Sequence, residues 1–232
     1  MGFERFHENP DELAIVVAFD PGGTTGFCVL GVAPDALVTN GTPLEQSLLH
    51  AEYGQIDCGT RHGQTGVGMA RGHDGLNLPG EIDGIVRMIN IWEEYDSPAV
   101  VLEDFVLDVH KANRGRDLLT PVRIIAGFTT LMHYSFGIGV LDGLFIQNRS
   151  LAKTTCTDER LMTWNLYDRN SGPHARDALR HAFYFLRSCC GNSPDSQLKR
   201  HLAWPQFFDD PAITRPAAKT KKQAGQRVTG LG

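Results

Sequence analysis

The first third of the chain alternates short apolar runs with polar, glycine-bearing turns, and helical spacing takes over afterwards. Residues 14–20 (AIVVAFD) and 26–32 (GFCVLGV) read as two strands of a hairpin around Pro21-Gly22-Gly23. Residues 50–58 give a third strand. Residues 59–80 hold seven glycines and little apolar content, the composition of a long loop. Leu78-Pro79 then opens a helix with Ile82, Ile85, Val86, Ile89 and Trp92 at helical spacing, and Asp96-Ser97-Pro98 stops it. The nearly unbroken apolar run 99–107 (AVVLEDFVL) has the pattern of a central strand. A basic-leaning loop, 108–119, follows. Pro121 begins a second helix with Val122, Ile125, Phe128, Thr129 and Met132 on one side. Residues 138–147 give a fifth strand, 149–167 short helical pieces, and 173–189 the last strong helix.

The order β-β-β-α-β-α-β-α predicts an α/β fold: a mixed five-stranded sheet, three strands as a meander and then strands alternating with helices, covered by helices. A flexible arm is expected over 1–12 and one domain over 13–192, with 59–80 as a loop insertion. A C-terminal extension is expected over 193–232, its basic tail disordered.

Charge changes this picture little, but it is uneven. The net charge is −5, yet every acidic residue precedes position 211. The tail beyond holds Arg215, Lys219, Lys221, Lys222 and Arg227, so the remaining 17 basic residues face 27 acidic ones. An acidic body suits a carboxylate-rich metal site, and the tail is either a phosphate-contacting or a solvated end. No apolar run reaches membrane-spanning length and the N-terminus is polar, so neither a membrane nor a signal peptide is expected. The five cysteines are odd in number and form no C-x-x-C pair, which argues against disulfides and structural zinc and fits a reducing cytoplasm.

Three segments carry candidate chemistry. Asp20 ends the first apolar strand, where a rigid backbone presents its carboxylate, and the glycines beyond it allow a chain or a phosphate to approach closely. Such a group can hold a hard cation against phosphate oxygens, or simply start a hairpin turn. Glu103 and Asp104 interrupt the most apolar strand, where a buried charge needs a partner. Strand neighbours face opposite sides, so only one can join a shared site. Glu103 is the expected ligand, and Asp104 either supports the site from behind or faces the loop. In the last helix, His174, Asp177 and His181 fall on one face. His174 and Asp177 are expected in the first turn, where free amides and the helix dipole favour anions. His181 reads as a histidine packed on the sheet, with a supporting place behind the site as the alternative. Carboxylates converging from two strands and a helix repel one another unless cations are present, and two Mg²⁺ ions would resolve that.

This pattern resembles the RNase H-like nuclease superfamily, and within it the RuvC-type Holliday junction resolvases of phage and prophage type. In these an Asp lies on the first strand, a Glu on the fourth, and the final helix opens with an acidic-or-His/x/x/Asp pair followed by Ala. The matching residues are Asp20, Glu103, His174 and Asp177, with Ala178 next. The resemblance covers residues 14 to about 190. It implies a homodimer that binds four-way DNA junctions in the cytoplasm, that of a host if phage-encoded. It implies paired phosphodiester hydrolysis with Mg²⁺, or Mn²⁺, two ions per site, leaving 5′-phosphate and 3′-hydroxyl ends. Asp20 would contact both ions, Glu103 and Asp177 one each, and His174 would be a ligand or help activate water. Lys153 resembles a lysine the family uses near the scissile phosphate, and is otherwise an ordinary exposed lysine. Lys111, Arg114 and Arg116 lie where the family contacts junction DNA, and the helix over 121–136 is the expected dimer contact.

Other readings use the same residues. Flaps, replication forks or RNA–DNA hybrids would be cut by the same metal chemistry. A branched-DNA binder without activity would not need the full carboxylate set. The Asp20–Gly26 turn (DPGGTTG) also resembles the phosphate loop of the sugar kinase/actin/Hsp70 ATPases, but a second phosphate motif is missing and the His174–His181 segment has no role there.

Overall fold

A computed structural model of the chain describes residues 5–38, 42–58, 78–105 and 119–208. Five strands form one mixed sheet: β1 (Ala14–Asp20), β2 (Thr24–Val32), β3 (Leu48–Asp57), β4 (Ala99–Glu103) and β5 (Leu144–Gln147). Their order is β3-β2-β1-β4-β5. The first three pair antiparallel as a meander, while β4 runs parallel to β1 and β5 parallel to β4. The helices are α1 (Leu78–Glu93), α2 (Thr120–Phe136), α3 (Arg149–Thr155), α4 (Asp158–Thr163), α5 (Gly172–Cys189) and α6 (Pro194–Ala203). This is the meander-then-alternation topology expected from the sequence, and it matches the RNase H-like fold.

The two faces of β1 sort the core. Ala14, Val16 and Ala18 join one apolar cluster with Ala178, Leu179, Ala182, Phe183 and Leu186 of α5. Ile15, Val17 and Phe19 join the other, with Met88 of α1 and Ile124, Phe128 and Met132 of α2. A period of two therefore assigns each β1 residue to one layer. Asp20 follows Ala18 on the α5 side. In β4, Ala99 and Val101 belong to that same cluster, so Glu103 also faces α5.

The structure differs from the sequence expectation at three elements. The fifth strand is only Leu144–Gln147, and Ile138–Gly143 is a 3₁₀ turn, because β4 spans only Ala99–Glu103 and a longer edge strand would have no partner to pair with. The fourth strand stops at Glu103; residues 104 and 105 lie outside it, and 106–107 lie outside the described residues. Residues 194–203 of the extension form α6, capped by Ser193, whose side chain accepts from the Ser196 N–H. Trp204, at its end, is fully buried and donates Nε1–H to the Ile15 carbonyl at 2.7 Å, tying the segment to the central strand. Arg5 of the N-terminal arm forms an antiparallel bridge with Ala51. No helix among the described residues is long and apolar enough to cross a membrane. The Gly-rich residues 59–77, the expected DNA contacts Lys111, Arg114 and Arg116, and the basic tail from 209 all lie outside the described residues.

The starts of α1 and α2 are joined by a buried ion pair. Glu81, 3% exposed, accepts from Arg123 Nε at 2.7 Å and Nη2 at 2.6 Å, and from Thr120 Oγ1 at 3.1 Å. Removing one partner strands the other charge in a poorly solvated place. Arg123→Met is expected to lower stability by about 3 kcal/mol in urea denaturation. A loss under about 1 kcal/mol would mean that water already screens Glu81.

Candidate metal centre

Asp20, Glu103 and Asp177 meet at the carboxyl ends of β1 and β4, beneath the start of α5. Each offers a carboxylate oxygen, and these atoms lie within 4.8 Å of one another. All three residues are buried, at 7–8% exposure. The parallel register pairs Phe19 with Leu102, so Asp20 and Glu103 leave adjacent strands at the same level. Asp177 is brought over them by α5, which packs across β1 and β2.

Gly26 makes that approach possible. A Cβ built there would sit 2.0 Å from the His174 carbonyl oxygen and 2.7 Å from the Ala175 nitrogen. Only a residue without a side chain lets β2 run this close to the helix backbone. The closeness a glycine permits is thus used here by the chain itself, at the turn that carries His174.

The expected helix-start position of Asp177 does not hold. α5 opens at Gly172, no acidic residue occupies its first turn, and Asp177 lies one turn further in. Free amides are therefore not what holds its charge. Lys153 Nζ reaches Asp177 Oδ2 at 2.6 Å, Arg180 Nη1 donates to Oδ1, and Arg149 Nη2 lies 3.8 Å from Oδ2. Arg149 also bridges to Glu103, with Nε 3.2 Å from Oε1. His174 Nδ1 lies 2.8 Å from Asp20 Oδ2, and His181 Nε2 lies 2.9 Å from Glu103 Oε2. Asp104, by contrast, is exposed and takes part through its backbone, donating N–H to the Gln147 carbonyl at 2.7 Å.

Electrostatics follow from this crowding. Burial pushes the Asp20 carboxyl above its ordinary value; the His174 hydrogen bond opposes the rise, and the Glu103 and Asp177 charges add to it. The Asp20 hydrogen bond raises His174 above the usual imidazole value, against its partial burial. Three hard carboxylate oxygens and no sulfur in this cluster fit Mg²⁺ or Mn²⁺ better than a soft metal. The cluster is thus able to coordinate a divalent cation, and such a centre on this sheet is consistent with metal-dependent nuclease chemistry.

Of the candidate residues, the structure brings together Asp20, Glu103, His174, Asp177 and Lys153. Sequence reasoning missed Arg149 and Arg180 and gave His181 a packing role first. The signals were available: Arg180 is three residues from Asp177 on the same helix, and Arg149 is four before Lys153. What hid them is that a surface arginine on a helix is ordinary.

No protein-family model and no curated protein matches the chain. Among solved structures, it is similar to T. thermophilus RuvC in complex with Holliday junction substrate: 15% identity, 75% of this chain and 93% of that chain covered, TM-score 0.45.

Proposed function

We propose that the chain is a divalent-metal-dependent endonuclease that cuts branched DNA, four-way junctions foremost. One observation carries this: three buried carboxylates from two adjacent strand ends and a covering helix offer oxygens within 4.8 Å of one another. Asp20, Glu103 and Asp177 would hold Mg²⁺, two ions per site with Asp20 shared. Bound there, such ions supply an activated water and neutralise charge developing on the phosphate.

The chain's own groups do the rest. Asp20 engages His174 Nδ1, which leaves Nε2 to take a proton from the attacking water. Lys153, paired with Asp177, and Arg149, more than half exposed, are placed to exchange a carboxylate for a phosphate oxygen and so position the scissile group. Lys111, Arg114 and Arg116 would contact the flanking backbone. A homodimer would set one site on each of two strands. The exposed Leu131 and Tyr134, neighbours three residues apart on α2, support that helix as the contact.

The test is a panel of labelled substrates (junction, flap, fork, duplex and RNA–DNA hybrid), each with Mg²⁺, Mn²⁺ or EDTA. Paired, symmetric nicks in the junction with 5′-phosphate ends are the expected result. Unpaired nicks would remove the dimer, and cutting of flaps or hybrids instead would change the substrate. Silence on every substrate in both metals would overturn the nuclease itself. Binding to the uncut junction, titrated with salt, checks the contacts: triple alanine replacement of Lys111, Arg114 and Arg116 should flatten the slope by about three.

A further inference from the structure

Behind the carboxylate cluster lies a polar group that the proposed chemistry leaves unused. His181 is fully buried on α5, one helical turn beyond Asp177, in a layer otherwise made of Ala178, Ala182 and Phe185. A polar ring in such a place is costly unless both nitrogens are satisfied. Both are. Nε2 lies 2.9 Å from Glu103 Oε2, and Nδ1 lies 3.0 Å from Gln147 Oε1 on β5. A carboxylate can only accept, so Nε2–H is the donor to Glu103. The Gln147 amide completes the second bond in either ring state: its N–H₂, turned toward a neutral ring, donates to Nδ1, and Oε1 accepts from Nδ1–H when the ring is protonated.

The three residues come from three different elements. Gln147 ends the edge strand, His181 sits on the covering helix, and Glu103 ends the strand beside β5, directly paired with Gln147 in the parallel register. The chain of bonds runs from Glu103 through the buried ring to the half-buried edge strand, where Gln147 is held by the sheet register. Glu103 consequently has one oxygen tied to His181. The other, Oε1, faces Arg149 at 3.2 Å.

We propose that His181, held by Gln147, is a positioning residue that fixes the rotation of the Glu103 carboxylate and thereby sets the affinity of the centre for divalent cations. This rests on the metal-dependent function proposed above. The physical reason is orientational: an untethered glutamate at a strand end samples several rotamers, and binding an ion through it must first select one. A bond to a rigid, buried ring makes that selection in advance. Groups that hold metal ligands in this way typically change metal affinity by about 10–100-fold when removed.

The measurement is Mn²⁺ binding by calorimetry, without DNA, on the wild-type protein and on His181→Gln, His181→Leu and Gln147→Met. Glutamine can place an amide N–H near Nε2; leucine fills the space without a donor. We expect His181→Leu to bind Mn²⁺ about 10–100-fold more weakly and His181→Gln to stay within about threefold of wild type. Gln147→Met, which removes the second bond at a half-buried site, is expected to fall between them. Melting curves in EDTA report folding; should His181→Leu not fold, Gln147→Met decides, and wild-type affinity in it overturns the proposal. So does wild-type affinity in a folded His181→Leu. Equal loss in the glutamine and leucine variants also overturns it, since shape rather than the hydrogen bond would then matter. Wild-type protein that binds no Mn²⁺ overturns both this role and the metal-dependent function, whereas wild-type binding with an unaffected leucine variant overturns the role alone.

Discussion

Asp20→Asn is expected to abolish cleavage and, in the same protein, to raise the melting temperature measured in EDTA. The two effects have one origin. Asp20 is buried beside Glu103 and Asp177, and its folded-state carboxyl is raised above the ordinary value. For an acid the sign is unambiguous. A carboxyl whose folded value lies above its unfolded value binds its proton more tightly when folded. The corresponding stability is present at acid pH and is lost as the pH rises from the unfolded value through the folded one. At neutral pH the ionised group therefore opposes folding. Asparagine keeps an oxygen for His174 Nδ1 but carries no charge. Without metal the variant should therefore melt higher than the wild type. Mg²⁺ should reverse the order, because an ion that binds only the folded wild type stabilises it and not the variant. Cleavage should drop by about a thousandfold or more, the scale lost when a preorganised charged group is removed from the reacting centre. A variant that melts lower than wild type in EDTA would make Asp20 a structural group.

The second large effect is expected at a residue without a side chain. Gly26→Ala would place a methyl carbon 2.0 Å from the His174 oxygen and 2.2 Å from its carbonyl carbon. Both are backbone atoms, so no flexible side chain can turn away. The start of α5 must move off β2 by about 1 Å or more, and a displacement of that size at reacting groups costs about a hundredfold in rate. Stability should fall by about 1–3 kcal/mol, the range for forcing an extra carbon into a packed interior. Gly23→Ala is the control, since a Cβ there meets nothing within 4 Å. If cleavage by Gly26→Ala matched that of Gly23→Ala, the spacing of α5 over β2 would not matter to the site.

These two positions differ in how they announce themselves. Asp20 ends an apolar strand, and a charge there is visible in the pattern. Gly26 is one glycine among many in the chain, and only the approach of α5 singles it out. The same contrast holds for α6. Its buried residues include Ser196, Arg200 and His201, so polar side chains face inward and the usual apolar periodicity is missing. Arg200 is held there by the carbonyls of Leu37, Cys189 and Gly191. Ser193 caps this helix ahead of Pro194, and nothing local says that Trp204 at its end reaches the carbonyl of Ile15.

By itself the sequence determined the succession of elements, three strands as a meander and then strands alternating with helices, and that only one of Glu103 and Asp104 could join a shared site, because alternation along a strand is a local property. It also determined that Asp20, Glu103 and Asp177 were the carboxylates to watch, since each interrupts or opens an apolar element. Lys153 was already a candidate by resemblance; the tertiary structure added Arg149 and Arg180 and the pairing of each cation with its carboxylate. Arg149 and Lys153 reach the site from a short helix after the edge strand, Arg180 and His181 from the turn of α5 after Asp177, and Gln147 from a strand shortened by its neighbour. Those pairings depend on how α3 and α5 are set against the sheet. Helix placement of that kind is the sum of many weak apolar contacts spread over the chain, so local spacing, such as Arg180 three residues after Asp177, gives only a hint of it.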